Sequence, residues 1–258
     1  MHAIMRGFDA LGRSARALFR NGNLYGGLVS LLLLGIPMSA SFLVLVRGPA
    51  AGPAGKALLI AACGGLLATI WAALVIFGAV FFAADDALAG RDVSVRSHWR
   101  DGRARLVPVA LFLIVTAFAH AIFRDLTPRV ANMNPGWILE LLFDIAVFAV
   151  LPALLLETNR HGVADRSVAI GLRRFVTSAV AVVSMRLIGL ATSLVLVALA
   201  EVGPIVNGHN VVRMLAVVLT PLAALAIVAW ATVTSVAVYR AEPAPGAVPS
   251  APPLGSAA

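Results

Sequence analysis

Charge is what this chain has least of. Only 12% of its 258 residues are charged, against about 25% in soluble domains. That shortfall excludes a surface made for water and fits one made for lipid. Lysine is nearly absent: Lys56 is the only one, and arginine supplies the other 19 of the 20 basic residues. Cys63 is the only cysteine, so no intramolecular disulfide forms. It falls within an apolar run and reads as a small packing residue. No Gly-x-Ser-x-Gly turn, His-Glu-x-x-His helix or Walker loop occurs. Histidines 2, 98, 120, 161 and 209 are scattered without metal-ligand spacing, although His98 and His161 fall in loops on the same side. No cofactor is expected. The net charge of +8 does not point to nucleic acid, because the basic residues sit in short loops between apolar runs.

Six apolar runs are present, where about 20 residues suffice to cross a bilayer as a helix. They cover 24–46, 57–84, 106–123, 137–156, 175–200 and 211–238. Lipid offers no partner to backbone N–H and C=O groups, so each run must satisfy them internally as a helix. Pro37, Pro152 and Pro221 lie within runs and Pro108 begins one. The fold class is therefore all-α, a polytopic transmembrane bundle of six helices. Orientation follows from basic residues. The loops on the side of the termini hold 14 arginines, the opposite loops five Arg or Lys, and Arg186 lies inside a run. This asymmetry places both termini in the cytoplasm. The Ala, Val and Arg bias suggests a GC-rich bacterial genome, hence the bacterial cytoplasmic (inner) membrane. The Met38-Ser-Ala40 stretch is a poor cleavage site, so the first run reads as a retained span.

Residues 1–23 read as an amphipathic interfacial helix. Ile4, Phe8, Leu11, Ala15 and Leu18 share one face, and Arg6, Asp9, Arg13, Arg16 and Arg20 the other. Asn21-Gly22 breaks the helix before the first span. The tail 239–258 is rich in Pro and Ala and is expected to be disordered.

The two larger loops echo each other. A shift of 69 residues aligns Arg91 with Arg160, Gly102 with Gly171, Arg105 with Arg174 and Val107 with Val176. This predicts two similar helix–loop–helix units, each with a short amphipathic loop helix. In the first, Val93, Val95 and Trp99 are expected to face lipid while Arg96, Arg100 and Arg103 meet head groups. Anionic lipid head groups are the expected partners, contacted by Arg6, Arg13, Arg16, Arg20, Arg96, Arg100, Arg103, Arg173 and Arg174. A protein partner or a homo-oligomer is also open.

The stretches Asp86-Ala-Leu-Ala-Gly-Arg-Asp-Val-Ser94, Leu151-Pro-Ala-Leu-Leu-Leu-Glu157, Ala164-Asp-Arg-Ser167 and Gly171-Leu-Arg-Arg174 resemble those of a family of uncharacterised bacterial six-helix integral membrane proteins. That group is similar to the membrane domain attached to some glycerophosphodiester phosphodiesterases. The resemblance covers roughly residues 1–200 and implies fold and topology. It implies no catalytic residue, because the phosphodiesterase is a separate soluble domain with no counterpart in this sequence.

Ionisable groups inside spans are costly, about 2.5–3.5 kcal/mol for a central Arg on insertion scales. Arg186 lies 11 residues into the fifth run and Asp144 lies 12 residues from the end of the fourth. At helical rise these depths are roughly 16 and 18 Å, which predicts an intramembrane ion pair between antiparallel helices. Glu140 shares a face with Asp144. His120, Arg124 and Asp125 read as a polar cap at the far end of the third span. Asp85, Asp86 and Glu157 read as boundary residues within reach of loop arginines. The stripes Gly64, Ala68, Ala72 and Gly35-x-x-x-Ser39 suggest close helix contacts. Three functions stay open. One is a non-enzymatic organiser of lipid or protein. The second is a small transporter or channel component using Asp144 and Arg186, with Thr69, Thr116, Ser184 and Thr192 as the other polar groups in spans. The third is a lipid-modifying membrane enzyme.

Overall fold

The computed structural model describes residues 1–47, 53–125, 136–157, 163–202, 205–206 and 209–241. The chain is all-α and runs through ten helices among the described residues. They are α1 (His2–Arg20), α2 (Gly22–Arg47), α3 (Pro53–Leu88), α4 (Trp99–Ala104), α5 (Leu106–Asp125), α6 (Gly136–Val147), α7 (Val150–Leu156), α8 (Val163–Arg173), α9 (Phe175–Val202) and α10 (Val211–Arg240). A two-residue antiparallel ladder pairs Ile205–Val206 with His209–Asn210 before α10. Six segments are long and apolar enough to cross a membrane: α2, α3, α5, α6 with α7, α9 and α10. This is a multi-pass membrane protein. The stretch 242–258, expected to be a disordered tail, lies outside the described residues.

Proline acts according to position. Pro152 ends the continuity of the fourth span, whose helix stops at Val147 and restarts at Val150. It lacks an N–H, and its ring clashes with the carbonyl four residues back, at Phe148. Pro108 falls in the first turn of α5, where a missing donor costs nothing. Pro37 lies inside α2 without interrupting it.

Packing concentrates at the end of the bundle that carries both described termini, here the basic end. Leu24 and Leu28 of α2, Val80 and Ala84 of α3, Leu155 of α7, and Val233 and Val236 of α10 form its fully enclosed core. Towards the opposite end, Ile36 and Phe42 of α2, Ile60 and Leu67 of α3, Phe118 of α5, and Leu194 and Val197 of α9 stay exposed. Exposed apolar surface on this scale belongs against lipid. Cys63 is exposed as well, contrary to its expected packing role. The predicted stripes are also outside the contacts: a Cβ on Gly64 or Gly35 would meet nothing within 4 Å.

Helix α1 docks on α9 and α10. Its sequence suggests two faces; the structure has three. Gly7, Ala10, Leu11, Ser14, Ala17 and Leu18 are buried against protein. Met1, Ile4, Met5, Phe8 and Phe19 form an exposed apolar strip. Arg6, Asp9, Arg13, Arg16 and Arg20 form an exposed polar strip. The predicted apolar face is thus split, because Leu11 and Leu18 join the small residues. Gly7 permits the close approach, since a Cβ there would stand 2.7 Å from Val180 Cβ. Ser14 and Thr234, both fully buried, share a hydrogen bond of 2.7 Å, and the Trp230 indole donates to Ser14 Oγ at 2.9 Å. Asn21 separates α1 from α2 and returns its amide to the Ala17 carbonyl at 2.7 Å.

The two echoing loops use one device twice. Gly102 of α4 lies directly on the backbone of α3, where a Cβ would come within 2.9 Å of the Ala79 nitrogen. Gly171 of α8 lies on the fourth span, where a Cβ would come within 2.6 Å of the Ala146 carbonyl oxygen. Arg105 donates to the Glu157 carbonyl at 2.6 Å, and Arg174 donates to the Tyr239 carbonyl. Each arginine therefore satisfies a carbonyl at a helix C-terminus, which has no partner within its helix. Two expectations are corrected. Val93 is buried in the core and Val95 packs beside Gly27 rather than against lipid. Arg174 is 5% exposed and stacks on the Tyr239 ring, so it is a structural tie and not a lipid contact.

Replacing Gly102 or Gly171 by Val forces the helix pairs apart. Each change is expected to lower stability by about 1–3 kcal/mol. Gly12→Ala adds a Cβ that meets nothing and removes a helical glycine, so it should be neutral or stabilising by up to about 1 kcal/mol. Thermal unfolding of the three variants in detergent checks the contrast; similar effects at positions 12 and 102 would refute the close-packing account.

Candidate functional site

Three ionisable side chains meet midway along the bundle. Arg186 of α9 donates from Nη2 to Asp144 Oδ2 on α6. His120 of α5 holds Asp144 Oδ1 through Nε2 at 2.9 Å. The expected partners, Asp144 and Arg186, are therefore in contact. The expected cap of His120, Arg124 and Asp125 is corrected, because His120 turns to Asp144; the side chains of Arg124 and Asp125 lie outside the described set. Counting depth for His120 would have found it. It stands 14 residues from the start of α5 and Asp144 12 from the end of α7, roughly 21 and 18 Å along antiparallel spans. Phe143 and Phe123 pack edge-on beside the pair and fix the imidazole side.

This cluster borders a cavity of about 430 Å³ among α3, α5, α6, α7, α9 and α10. Its walls are mainly apolar, with Phe81, Phe112, Phe148, Leu151, Val182 and Met185 among them. Asp144, Arg186, Thr232 and Ser235 supply the polar edges. Lining residues extend from Ser235, five residues from the end of α10, to Gly189, 14 residues into α9. That is roughly 8 to 21 Å above the basic end.

A second constellation sits at the basic end. Asp85, at the end of α3, receives both Nε and Nη2 of Arg240 at 2.7 and 2.8 Å. Such a two-point guanidinium–carboxylate contact fixes orientation as well as charge. Arg91 bridges Asp85 and Asp86 at 3.3 and 2.6 Å. His98 joins Asp86 at 2.6 Å to Asp101 at 3.1 Å and stacks on Phe82. Burial opposes protonation of His98, but the hydrogen bonds and charges of its two carboxylates outweigh it, and its pKa is raised above 6.5. Glu157 pairs with Arg166 at 3.0 Å. The boundary acids thus do meet arginines, and Arg240 was the partner the loop-based reading missed. His161 lies outside the described residues; among those described, no group of three metal-capable side chains is present.

Beside α1 a polar recess of about 550 Å³ is lined by Arg13, Arg16, Arg20, Asn21, Arg91 and Asp92. Arg13 is paired with Asp9 at 2.9 Å, and among the described residues the Arg16 side chain reaches only the Gly12 carbonyl, at 3.4 Å. Arg20 makes no ion pair or hydrogen bond among the described residues. Arg6, Arg96, Arg100, Arg103 and Arg173 are exposed, so eight of the nine arginines expected at the surface are there.

Two outcomes follow from these clusters. Asp144→Asn should cost about 1.5–3 kcal/mol, the worth of a hydrogen bond to a charged group. Adding Arg186→Gln should recover part of the folded yield, whereas additive losses would deny the coupling. His98 should stabilise the α3–α4 contact fully below about pH 6.5 and progressively less as pH rises through its raised value. Unfolding midpoints measured from pH 5.5 to about 9 should fall in this way for the wild type and stay flatter in His98→Gln.

Comparison with protein-family models, curated proteins and solved structures finds no match in any of the three.

Proposed function

We propose that this chain is a non-enzymatic component of the bacterial cytoplasmic membrane that organises anionic lipid at the inner face. The basic end is then cytoplasmic, as the 14-to-5 distribution of basic residues argues. The observation that carries the reading is the surface of α1. An unpartnered apolar strip from Met1 to Phe19 runs beside four exposed arginines. That arrangement suits a helix lying at the level of head groups, with its apolar strip among acyl chains. The recess lined by Arg13, Arg16, Arg20, Arg91 and Asp92 lies on the arginine side. Arg13 and Arg91 are paired with Asp9, Asp85 and Asp86, so Arg16 and Arg20 are the cations that would meet a phosphate-bearing head group. Basic clusters of this kind attract anionic lipid by about 1 kcal/mol per residue near the surface.

The transport alternative has the mid-depth cavity in its favour. The lipid reading accounts for α1, both loops and the recess together.

Purified protein in neutral detergent should gain thermal stability from phosphatidylglycerol and little from phosphatidylcholine. Arg16→Gln with Arg20→Gln should remove most of that difference, and raised salt should shrink it. Equal stabilisation by both lipids would end the proposal.

A further inference from the structure

We propose that the mid-depth cavity is a binding site for a single-chain anionic amphiphile, its tail in the apolar chamber and its head group on Arg186. The donor–acceptor balance of the cluster leads there. Asp144 has two carboxylate oxygens, and both are engaged, Oδ1 by His120 and Oδ2 by Arg186. A guanidinium has five N–H donors. Arg186 directs one of its nitrogens at Asp144 and makes no other hydrogen bond among the described residues. Its side chain keeps 45% of its surface open. The site therefore has donors to spare and its acceptors filled. The group it lacks is an acceptor, best an anion, because a charge-assisted contact to guanidinium is the strongest available.

The chamber sets the rest of the ligand. Phe81, Phe112, Phe148, Leu151 and Val182 leave no polar partner along most of the wall, so that part must be hydrocarbon. Its volume, about 430 Å³, falls in the range of small-molecule sites, about 300–1,000 Å³. The lining reaches from Ser235, roughly 8 Å above the basic end, to Gly189, roughly 21 Å, with Arg186 between them at roughly 16 Å, so the tail packs along this lining beside the guanidinium. Thr232 and Ser235 at the floor do not call for a second polar group: Thr232 returns its hydroxyl to Val228 and Ser235 to Thr232, at 2.9 and 2.8 Å.

This site is separate from the recess beside α1 and does not depend on the lipid reading above. The carboxylate and phosphate forms of the head share one chemistry, so both are tested. The full chain in neutral-detergent micelles is titrated with decanoate, decyl phosphate and decanol, followed by native mass spectrometry. Saturable binding of one or both anions, at least tenfold tighter than decanol, is expected. Whichever anion binds more tightly identifies the source. Arg186→Gln should weaken the anion by about 10- to 150-fold, the equivalent of a charged hydrogen bond, and leave decanol unchanged. Gly189→Leu tests the chamber while preserving the cluster. A Cβ at Gly189 stands 3.7 Å from Ile227, so the larger side chain occupies ligand space; binding should fall with Asp144 and Arg186 intact. Arg16→Gln with Arg20→Gln should bind the anions like the wild type. Equal affinity for decanoate, decyl phosphate and decanol, or undiminished binding in Gly189→Leu, would overturn the proposal.

Discussion

Lipid tails are as apolar as leucine, so the hydrophobic effect gives spanning helices no reason to join. Close backbone contact and internal hydrogen bonds must do it. This chain meets that constraint at a few positions: Gly7 against α9, Gly102 against α3 and Gly171 against the fourth span. All three lie towards the basic end, and so does the enclosed core. The cavity lies beside these contacts, among α3, α5, α6, α7, α9 and α10. Above them the helices present their apolar faces to lipid, and the space between α6, α9 and α10 is left open. One asymmetry of packing thus sets a packed end and an unpartnered outer surface.

Charge follows the same division. At the basic end arginines join the ends of the spans. Arg240 ties α10 to Asp85 of α3, Arg105 meets the end of α7 and Arg174 the end of α10. Each contact puts a cation where the helix dipole is negative, or beside a carboxylate that completes such an end. These links hold the ends in register while the small-residue contacts hold the helices close. The mid-depth cluster is different in kind. Its members come from three separate helices, and its one acid serves two donors.

How much of this could be read from the sequence depends on whether a property is local. Six spans, their approximate limits and the Asp144–Arg186 match follow from hydropathy and helical rise, which involve one segment or two at equal depth. The repeat was also legible, since Gly102 and Gly171 perform the same task where the 69-residue shift aligned them. What escaped was tertiary. Gly7, Ala10 and Ser14 are neutral on any amphipathic count, so the docking face of α1 left no trace in it. Arg174 resembles the exposed Arg173 beside it until Tyr239, 65 residues on, supplies a ring and a carbonyl. His120 was read with its neighbours in sequence, although the residue that matters to it is on the next span.

The α1 contact also fixes an order of events. Ser14 finds its partners 216 and 220 residues later, in Trp230 and Thr234 of the last span. Helix α1 is synthesised before α10 and cannot reach its place until α10 is in the membrane. Until then its small-residue face has no protein to cover it. Helix α1 therefore seats only after α10 is inserted, and its seating reports that α10 has reached its place.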